Sequence, residues 1–234
     1  LFPYNKERAG VGYEDKRVSG RGADTKEVFD LTLSDMRWLE EHAMILGNET
    51  ISAFVKAACI VAEQIASSII SFANDVENTF GIGEFGVEVA ESQNIYFIRF
   101  IHYFPVATVE QETAETHTDL SGFTTTLFSS APGFEYLTHE KKWERPTIKE
   151  GEMFIINSMQ LQLRSKGVLK ATVHRVIATP ETAKTGRYSA VCFVQLKNTP
   201  KISKTTGRMQ DLHKKELGFN YRMSHEEFEK LFKE

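Results

Sequence analysis

The chain has 234 residues, of which 41% are hydrophobic and 26% charged, a composition typical of one globular domain. The formal net charge is −4, from 28 Lys and Arg against 32 Asp and Glu, so we expect no broad basic face and no nucleic-acid partner. The longest apolar stretch, 51–72, is interrupted by Lys56 and Glu63, and we therefore expect no membrane-spanning segment.

The two cysteines, Cys59 and Cys192, are too few for a disulfide framework in a chain of this length. We expect both to be reduced and the protein to be cytoplasmic. Residues 1–4 lack the layout of a signal peptide, and the chain starts at Leu1 rather than Met. The sequence does not tell whether the N-terminus is truncated.

Residues 1–90 are predicted to form a loop and a helical support segment. Residues 1–30 are rich in Gly, Arg and Asp and predict a loop with a short strand around 28–30. A first helix is predicted from a Ser34 cap to Leu46, and a second over 49–75. The apolar residues of the second helix recur at spacings of three and four, which predicts packing against a sheet. They are Phe54, Ala57, Ala58, Val61, Ile65, Ile69 and Phe72.

In residues 91–200 the apolar residues recur at every second position, which predicts strands. The predicted strands are 94–104, 115–119, 123–129, 134–138, 152–157, 170–179 and 187–197. No helical crossovers separate them, so the pattern indicates an antiparallel sandwich or jelly roll. Residues 201–234 are predicted to be a loop and a helix that begins with a Ser224–Glu227 capping box, within one domain overall.

Three residues in this β-rich part have the chemistry of an open metal site: His117, Asp119 and His174. Alternate residues of a strand share a face, so His117 and Asp119 are predicted to project together. A jelly roll can bring His174 to the same end of the barrel. Two imidazoles and one carboxylate on one triangular face leave three octahedral positions open. Ferrous iron needs such positions to bind a chelating acid together with dioxygen.

Arg187 and Ser189 share a strand face by the same alternation. A guanidinium beside a hydroxyl suits a carboxylate, because Arg donates two parallel charge-assisted hydrogen bonds. The pair fits the far carboxylate of a dicarboxylic cosubstrate. His102 and Tyr103 must face opposite sides of their strand, so only one of them can face the barrel interior. For Tyr103 a substrate-pocket role and simple packing both stay open.

The His117-x-Asp119 motif, His174 within a Thr-x-His-Arg-Val context, and Arg187-x-Ser189 resemble the isopenicillin N synthase-like family of iron(II)/2-oxoglutarate-dependent dioxygenases. Segments 98–105, 117–128, 133–137, 151–157 and 218–221 also occur in the family's order. The resemblance implies a mainly β fold with flanking helices. Its core would be a double-stranded β-helix (jelly roll), with the long N-terminal helix packed on the major sheet.

The resemblance further implies that His117, Asp119 and His174 bind Fe(II) and that Arg187 and Ser189 bind 2-oxoglutarate. With O2 as the oxidant, a small-molecule substrate would be hydroxylated, desaturated or cyclised while succinate and CO2 are released. Two alternatives stay open. One is an iron-dependent oxidase of the same scaffold that does not use 2-oxoglutarate. The other is a non-catalytic jelly-roll binding module, which a fourth protein ligand at the metal would favour.

Four other histidines, His42, His139, His213 and His225, lack ligand spacing, and we expect them to be solvated. The lysine-rich stretch 197–215 is expected to be a solvated loop, with a mobile cover over the site as the alternative. The sequence does not predict an oligomeric state.

Overall fold

The structure, a computed structural model, describes residues 12–17, 24–149, 151–200 and 206–233. Its strands, in chain order, are β1 (Gly12–Asp15), β2 (Lys26–Thr32), β3 (Phe97–Tyr103), β4 (Glu112–His117), β5 (Phe123–Ser129), β6 (Phe134–Leu137), β7 (Trp143–Glu144), β8 (Ile155–Asn157), β9 (His174–Ile177) and β10 (Arg187–Val194). All neighbouring strands pair antiparallel.

The strands form two sheets. The major sheet has six strands in the order β1-β2-β3-β10-β5-β8, and the minor sheet has four in the order β4-β9-β6-β7. Strands distant in sequence are neighbours in both sheets, as in a jelly roll. The predicted mainly β fold with a jelly-roll core, flanking helices and a long helix on the major sheet is confirmed.

The helices lie before, between and after the strands. They are α1 (Leu33–Leu46), α2 (Glu49–Phe80), α3 (Phe85–Glu91), α4 (Met159–Arg164), α5 (Thr182–Thr185), α6 (Thr206–Lys215), α7 (Phe219–Arg222) and α8 (His225–Lys233). The predicted division into 1–90, 91–200 and 201–234 stays a prediction. Part of the predicted 197–215 loop is nevertheless the helix α6, so that prediction was wrong for residues 206–215.

The ends of α1 and α2 follow from local hydrogen bonds. The side chain of Asn48 caps α2 by accepting a hydrogen bond from the Ile51 amide at 3.0 Å. The helix runs five residues beyond the predicted end and stops at Gly81, whose left-handed φ of 66° suits glycine. At α1 the cap is Thr32, whose hydroxyl accepts from the Asp35 amide at 3.2 Å, rather than the predicted Ser34.

The stripe of α2 that enters the core agrees with the predicted one only at Ala58, Ile65 and Ile69. Its buried residues are Val55, Ala58, Ala62, Ile65, Ile69, Ala73 and Val76, whereas Phe54, Ala57 and Val61 are exposed. The stripe packs on the outer face of the major sheet, where it meets Ile98, Cys192 and Val194. Near its N-terminus the helix leaves a cavity of ≈ 510 Å³ against the sheet, which is why the predicted residues there are not covered.

Helix α2 is also long and apolar enough to cross a membrane by length and composition, with a mean hydropathy of 1.6 over 18 residues. The expectation that the chain has no membrane-spanning segment stays a prediction. Core helices of soluble proteins pass the same test, and one stripe of α2 packs on the sheet. The absence of a membrane partner stays a prediction.

Several strand ends differ from those predicted. β4 begins earlier and ends at His117, β8 holds only three residues, and β9 begins at His174. The register of β4 against β9 shifts twice, and such bulges end a ladder earlier than a regular alternation suggests. At the C-terminus, the predicted capping box is confirmed, because the Ser224 and Glu227 side chains each bond the other's amide.

Candidate metal centre

The two histidines of the candidate triad meet across the minor sheet. His117 is the last residue of β4, His174 is the first residue of β9, and the two lie directly opposite in the ladder. Asp119 is in the loop after β4, so the expectation that it shares a strand face with His117 was wrong. The β4–β9 ladder ends at His117, and the loop that follows places the Asp119 carboxylate beside both imidazoles.

The three side chains offer their ligand atoms to one point. Asp119 Oδ1 lies 3.5 Å from His117 Nε2 and 3.8 Å from His174 Nε2. The three ligand atoms all lie within 4.8 Å of one another, as three ligands of one metal ion do. Among the residues that the structure describes, no fourth His, Cys, Asp or Glu joins this group. The described site is therefore open rather than closed, as a catalytic metal site requires.

Backbone and side-chain hydrogen bonds orient these ligand atoms. His117 Nδ1 lies 2.5 Å from the Glu115 carbonyl oxygen, and His174 Nδ1 lies 3.0 Å from the Thr172 carbonyl oxygen. Because a carbonyl only accepts, each Nδ1 carries the proton and each Nε2 keeps its lone pair for a metal. The Thr124 hydroxyl donates to Asp119 Oδ2 at 2.6 Å, which leaves Oδ1 free to bind the metal.

The electrostatics favour the metal-binding protonation states. Burial disfavours the charged form of Asp119, but His174, His117 and Thr124 more than offset it and hold the pKa of Asp119 well below its usual range. Burial, with the nearby charge of His117, lowers the pKa of His174 to about 4. Asp119 is therefore ionised and His174 neutral near pH 7, as metal ligands must be.

Arg187 and Ser189 lie on the major sheet and face the same cavity as the triad. The cavity lies between the two sheets. Tyr103 of β3 pairs in register with Arg187 of β10 on one side and with Lys26 of β2 on the other. In the next inward-facing row, Ile101 pairs with Ser189. The cavity thus has the metal triad on one wall and a cationic row on the other.

Two hydrogen bonds hold the side chain of Arg187 in place. Its Nε donates to the Ala131 carbonyl at 2.9 Å and its Nη2 to Ser129 Oγ at 2.6 Å. Its Nη1 is buried without a hydrogen-bond partner in the described part of the chain. A buried unpaired guanidinium nitrogen is costly, and a carboxylate in the cavity would satisfy it. These residues therefore fit the far carboxylate of 2-oxoglutarate.

Ser189 is less ready to bind this carboxylate than the sequence suggests. Its hydroxyl donates to the Phe128 carbonyl at 3.0 Å, so the proton is already engaged. A contact with a bound acid requires rotation of the side chain. Tyr103 faces the cavity and is buried, with its ring 5.2 Å from the Arg187 guanidinium carbon. His102 faces the outer side of the sheet, where Nδ1 pairs with Glu27 at 2.9 Å.

Sequence reasoning missed several residues around the cavity. Lys26 and Arg99 both line it. Arg99 could have been found by alternation, since it lies two and four residues before Ile101 and Tyr103 on the same strand. No signal in the loop-like lead-in indicated Lys26. His213, expected to be solvated, is instead buried at 3% exposure, because α6 packs against β4.

The comparisons with known proteins agree with this geometry. Residues 93–196 match the sequence profile of the 2OG-Fe(II) oxygenase superfamily. This segment contains the triad, Arg187 and Ser189. No match is found among curated protein sequences.

The fold is similar to those of several solved structures. A full-length Neurospora crassa protein, in complex with alpha-KG (2-oxoglutarate) and 5-formyluracil, superposes with a TM-score of 0.66 at 19% identity over 84% of this chain and 63% of that chain. The dioxygenase for auxin oxidation 1 of Arabidopsis thaliana, in complex with 2-oxoglutarate, gives 0.61 at 19% identity over 84% and 73%. The rice dioxygenase for auxin oxidation gives 0.61 at 18% identity over 92% and 76%.

This chain spans less than two thirds of the Neurospora crassa protein in two of its complexes, 63% in one and 65% in the other. At such identities the likeness concerns the fold. The match to the sequence profile and the triad that can hold iron support the superfamily assignment in addition to the fold. Residues 93–196 of this chain form a 2OG-Fe(II) oxygenase superfamily domain.

Proposed function

We propose that the protein is an iron(II)- and 2-oxoglutarate-dependent oxygenase of the isopenicillin N synthase-like branch. It oxidises a small organic substrate by hydroxylation, desaturation or cyclisation and releases succinate and CO2. The observation that carries the proposal is one cavity that holds both the open triad of His117, Asp119 and His174 and the unpaired Arg187 Nη1.

Iron(II) at the triad would supply dioxygen activation, coupled to oxidative decarboxylation of 2-oxoglutarate. The residues of the chain hold and orient the side chains that would bind the metal. The Glu115 and Thr172 carbonyls fix the tautomers of the two histidines, and Thr124 fixes the rotation of the carboxylate. Each ligand atom is thus aimed before the metal arrives, so little reorganisation is needed on binding.

Arg187 anchors the cosubstrate in this proposal. Its side chain is buried and held by two hydrogen bonds, so the guanidinium keeps its direction as the carboxylate enters. Burial lowers the pKa of Arg187, but arginine is basic enough to stay charged. In a cavity without bulk water, this charge attracts a carboxylate more strongly than an exposed arginine would.

The branch is supported by the Arg187-x-Ser189 pair and by the order of the matching segments. Small-molecule substrates are typical of the superfamily, and related folds bind 5-formyluracil or belong to dioxygenases for auxin oxidation. We further propose a cytoplasmic location, supported by the absence of a disulfide between Cys59 and Cys192. No nucleic-acid or membrane partner is part of the proposal.

The proposal is tested by anaerobic titration of the protein with iron(II) and then 2-oxoglutarate. We expect the weak visible charge-transfer band of an iron-chelated 2-oxoacid, and we expect Arg187→Ala to raise the dissociation constant of 2-oxoglutarate at least tenfold, because a charge-assisted hydrogen bond is lost. Arg145→Ala is the matched control, since Arg145 is half-exposed and pairs with Glu135 away from the cavity.

The outcomes separate the alternatives. Loss of 2-oxoglutarate affinity in Arg187→Ala but not in Arg145→Ala supports the anchor. Iron binding without any band in the parent protein would instead favour an oxidase that does not use 2-oxoglutarate. A protein that binds no iron would contradict the oxygenase proposal and favour a non-catalytic binding module.

A further inference from the structure

A second cavity lies on the outer face of the major sheet, under the N-terminal half of α2. Its floor consists of two cross-strand rows of side chains that face away from the metal triad. The first row is polar, because Glu27 pairs in register with His102, and His102 pairs with Tyr188. The second row is apolar and contains Tyr13, Phe29, Phe100, Ala190 and Phe128.

Helix α2 covers this floor without filling the space above it. The helix contributes Phe54 and Val61 together with the small side chains of Ala57 and Ala58. The cavity of ≈ 510 Å³ has the size of a small-molecule site, and most of its lining is aliphatic or aromatic. Ile98, which also belongs to the core between α2 and the sheet, lies at the end away from Glu27. The cavity is thus apolar with one polar end.

The polar end carries the negative charge of Glu27. The Tyr13 hydroxyl donates to Glu27 Oε2 at 2.7 Å, and His102 Nδ1 lies 2.9 Å from Oε1. These two hydrogen bonds lower the pKa of Glu27, so its carboxylate is ionised near pH 7. The charge of Arg17 also acts on Glu27, but its guanidinium is bound by Asp15 through hydrogen bonds of 3.0 and 2.6 Å.

The Glu27 carboxylate has capacity for a further partner. Its side chain is still 30% exposed, and a carboxylate offers about four lone-pair positions, more than Tyr13 and His102 occupy. In the described part of the chain, no Lys or Arg lines the cavity, so an anionic ligand would be repelled. An organic cation would instead pair with the carboxylate while the faces of the surrounding rings attract it.

We propose that this cavity is a second ligand site, which binds a small organic cation with its ammonium group at Glu27 and its apolar body between α2 and the aromatic row. The site lies on the outer face of the strands that carry Tyr103 and Arg187 on their inner face. It needs neither iron nor 2-oxoglutarate, so the inference does not rest on the proposed function.

The test measures the binding of three matched probes to the full chain by calorimetry. The probes are 4-phenylbutylammonium, 4-phenylbutanol and 4-phenylbutyrate, which share a phenyl ring and differ in the charge of the polar end. We expect the cation to bind at least about tenfold more tightly than the alcohol, and the anion to bind most weakly. Glu27→Gln should remove this preference by weakening the binding of the cation about tenfold. Glu63→Gln is the matched control, because Glu63 is exposed on α2 outside the cavity.

Ala57→Phe tests the location of the site independently of its charge. A phenyl ring at position 57 would occupy the cavity from the side of α2, so all three probes should bind at least about tenfold more weakly. Ala53→Phe, one turn earlier on the same helix and outside the cavity, should leave their binding unchanged. Circular dichroism checks that each variant is folded.

The remaining outcomes decide between occupants. Equal binding of the three probes, tighter binding of the anion, no binding of the cation, or unchanged binding in Ala57→Phe would each overturn the inference. Zinc(II) with 2-oxoglutarate should not compete with the cation, and competition would place the probe in the metal cavity instead. In sedimentation velocity, a dimer of the parent protein that Ala57→Phe disrupts would show that a second copy of the chain covers the cavity, which also contradicts the proposal.

Discussion

At the scale of single residues, Thr124 controls which oxygen of Asp119 can reach a metal. Its hydroxyl donates to Oδ2 at 2.6 Å, and both side chains are buried. The next residue, Thr125, is equally buried but belongs to the opposite face of β5, and its hydroxyl has only a weak contact with Met153 Sδ at 3.9 Å. The two threonines thus form a natural pair for comparison.

We predict that Thr124→Val lowers metal affinity about tenfold or more, the usual effect of losing a hydrogen bond to a metal ligand. Valine keeps the shape of threonine, so the fold should persist. Thr125→Val, on the same strand, should leave metal affinity unchanged. Competition with a chromophoric chelator measures both dissociation constants. Equal losses in the two variants would show that the effect comes from the strand and not from the Asp119 contact.

At the scale of secondary structure, α2 supports the major sheet with one face only. Ile69 is 1% exposed in the core cluster, whereas Ile60 is 48% exposed on the same helix. The same substitution at both positions therefore compares burial at constant helix propensity and constant side-chain chemistry.

We predict that Ile69→Ala lowers the free energy of unfolding by about 2–5 kcal/mol, because it removes buried methylene and methyl groups and leaves a cavity. Ile60→Ala should change it by about 0.5 kcal/mol or less, as surface substitutions do. Urea denaturation monitored by circular dichroism gives both values. A loss at Ile60 as large as that at Ile69 would mean that a further contact covers the outer side of α2.

At the scale of the whole molecule, two buried histidines make stability depend on pH. Burial, followed by the charge of His117, lowers the pKa of both His174 and His213 to about 4. In an unfolded chain each would titrate near 6.5. Below pH 6.5 the unfolded state binds protons at these two positions and the folded state does not, so the free energy of unfolding falls as the pH drops from 6.5 towards 4. Above pH 6.5 both histidines are neutral in both states, and their stabilising contribution is fully present.

We predict that the metal-free protein loses up to roughly 3 kcal/mol per histidine over this range, since one pKa unit corresponds to about 1.4 kcal/mol. The pKa of Asp119 is held below its usual range, so Asp119 adds its own loss only at lower pH. His213→Phe should show a weaker pH dependence than the parent. Urea denaturation at several pH values between 7 and 4 is the measurement, and identical curves for the two proteins would contradict the prediction.

Much of this architecture could be predicted from local patterns. The change from a helical period to a period of two located the boundary before β3, and the helical spacing of apolar residues located α1 and α2 to within five residues at each end. The prediction for Asp119 used the same alternation and was wrong about its strand. The two register shifts between β4 and β9 depend on both strands, and no single stretch of sequence encodes them.

The sequence by itself determined the ligand types at 117, 119 and 174, the guanidinium at 187, the β-rich core and the helix before it, because these follow from residue chemistry and short-range periodicity. Only the tertiary structure decided that His117 faces His174, that Tyr103 rather than His102 points inward, that Lys26 and Arg99 are neutralised, and that His213 is buried. Each of these depends on strand register and helix packing between distant segments. Such long-range contacts are set by how the whole chain buries its apolar surface, which no local pattern records.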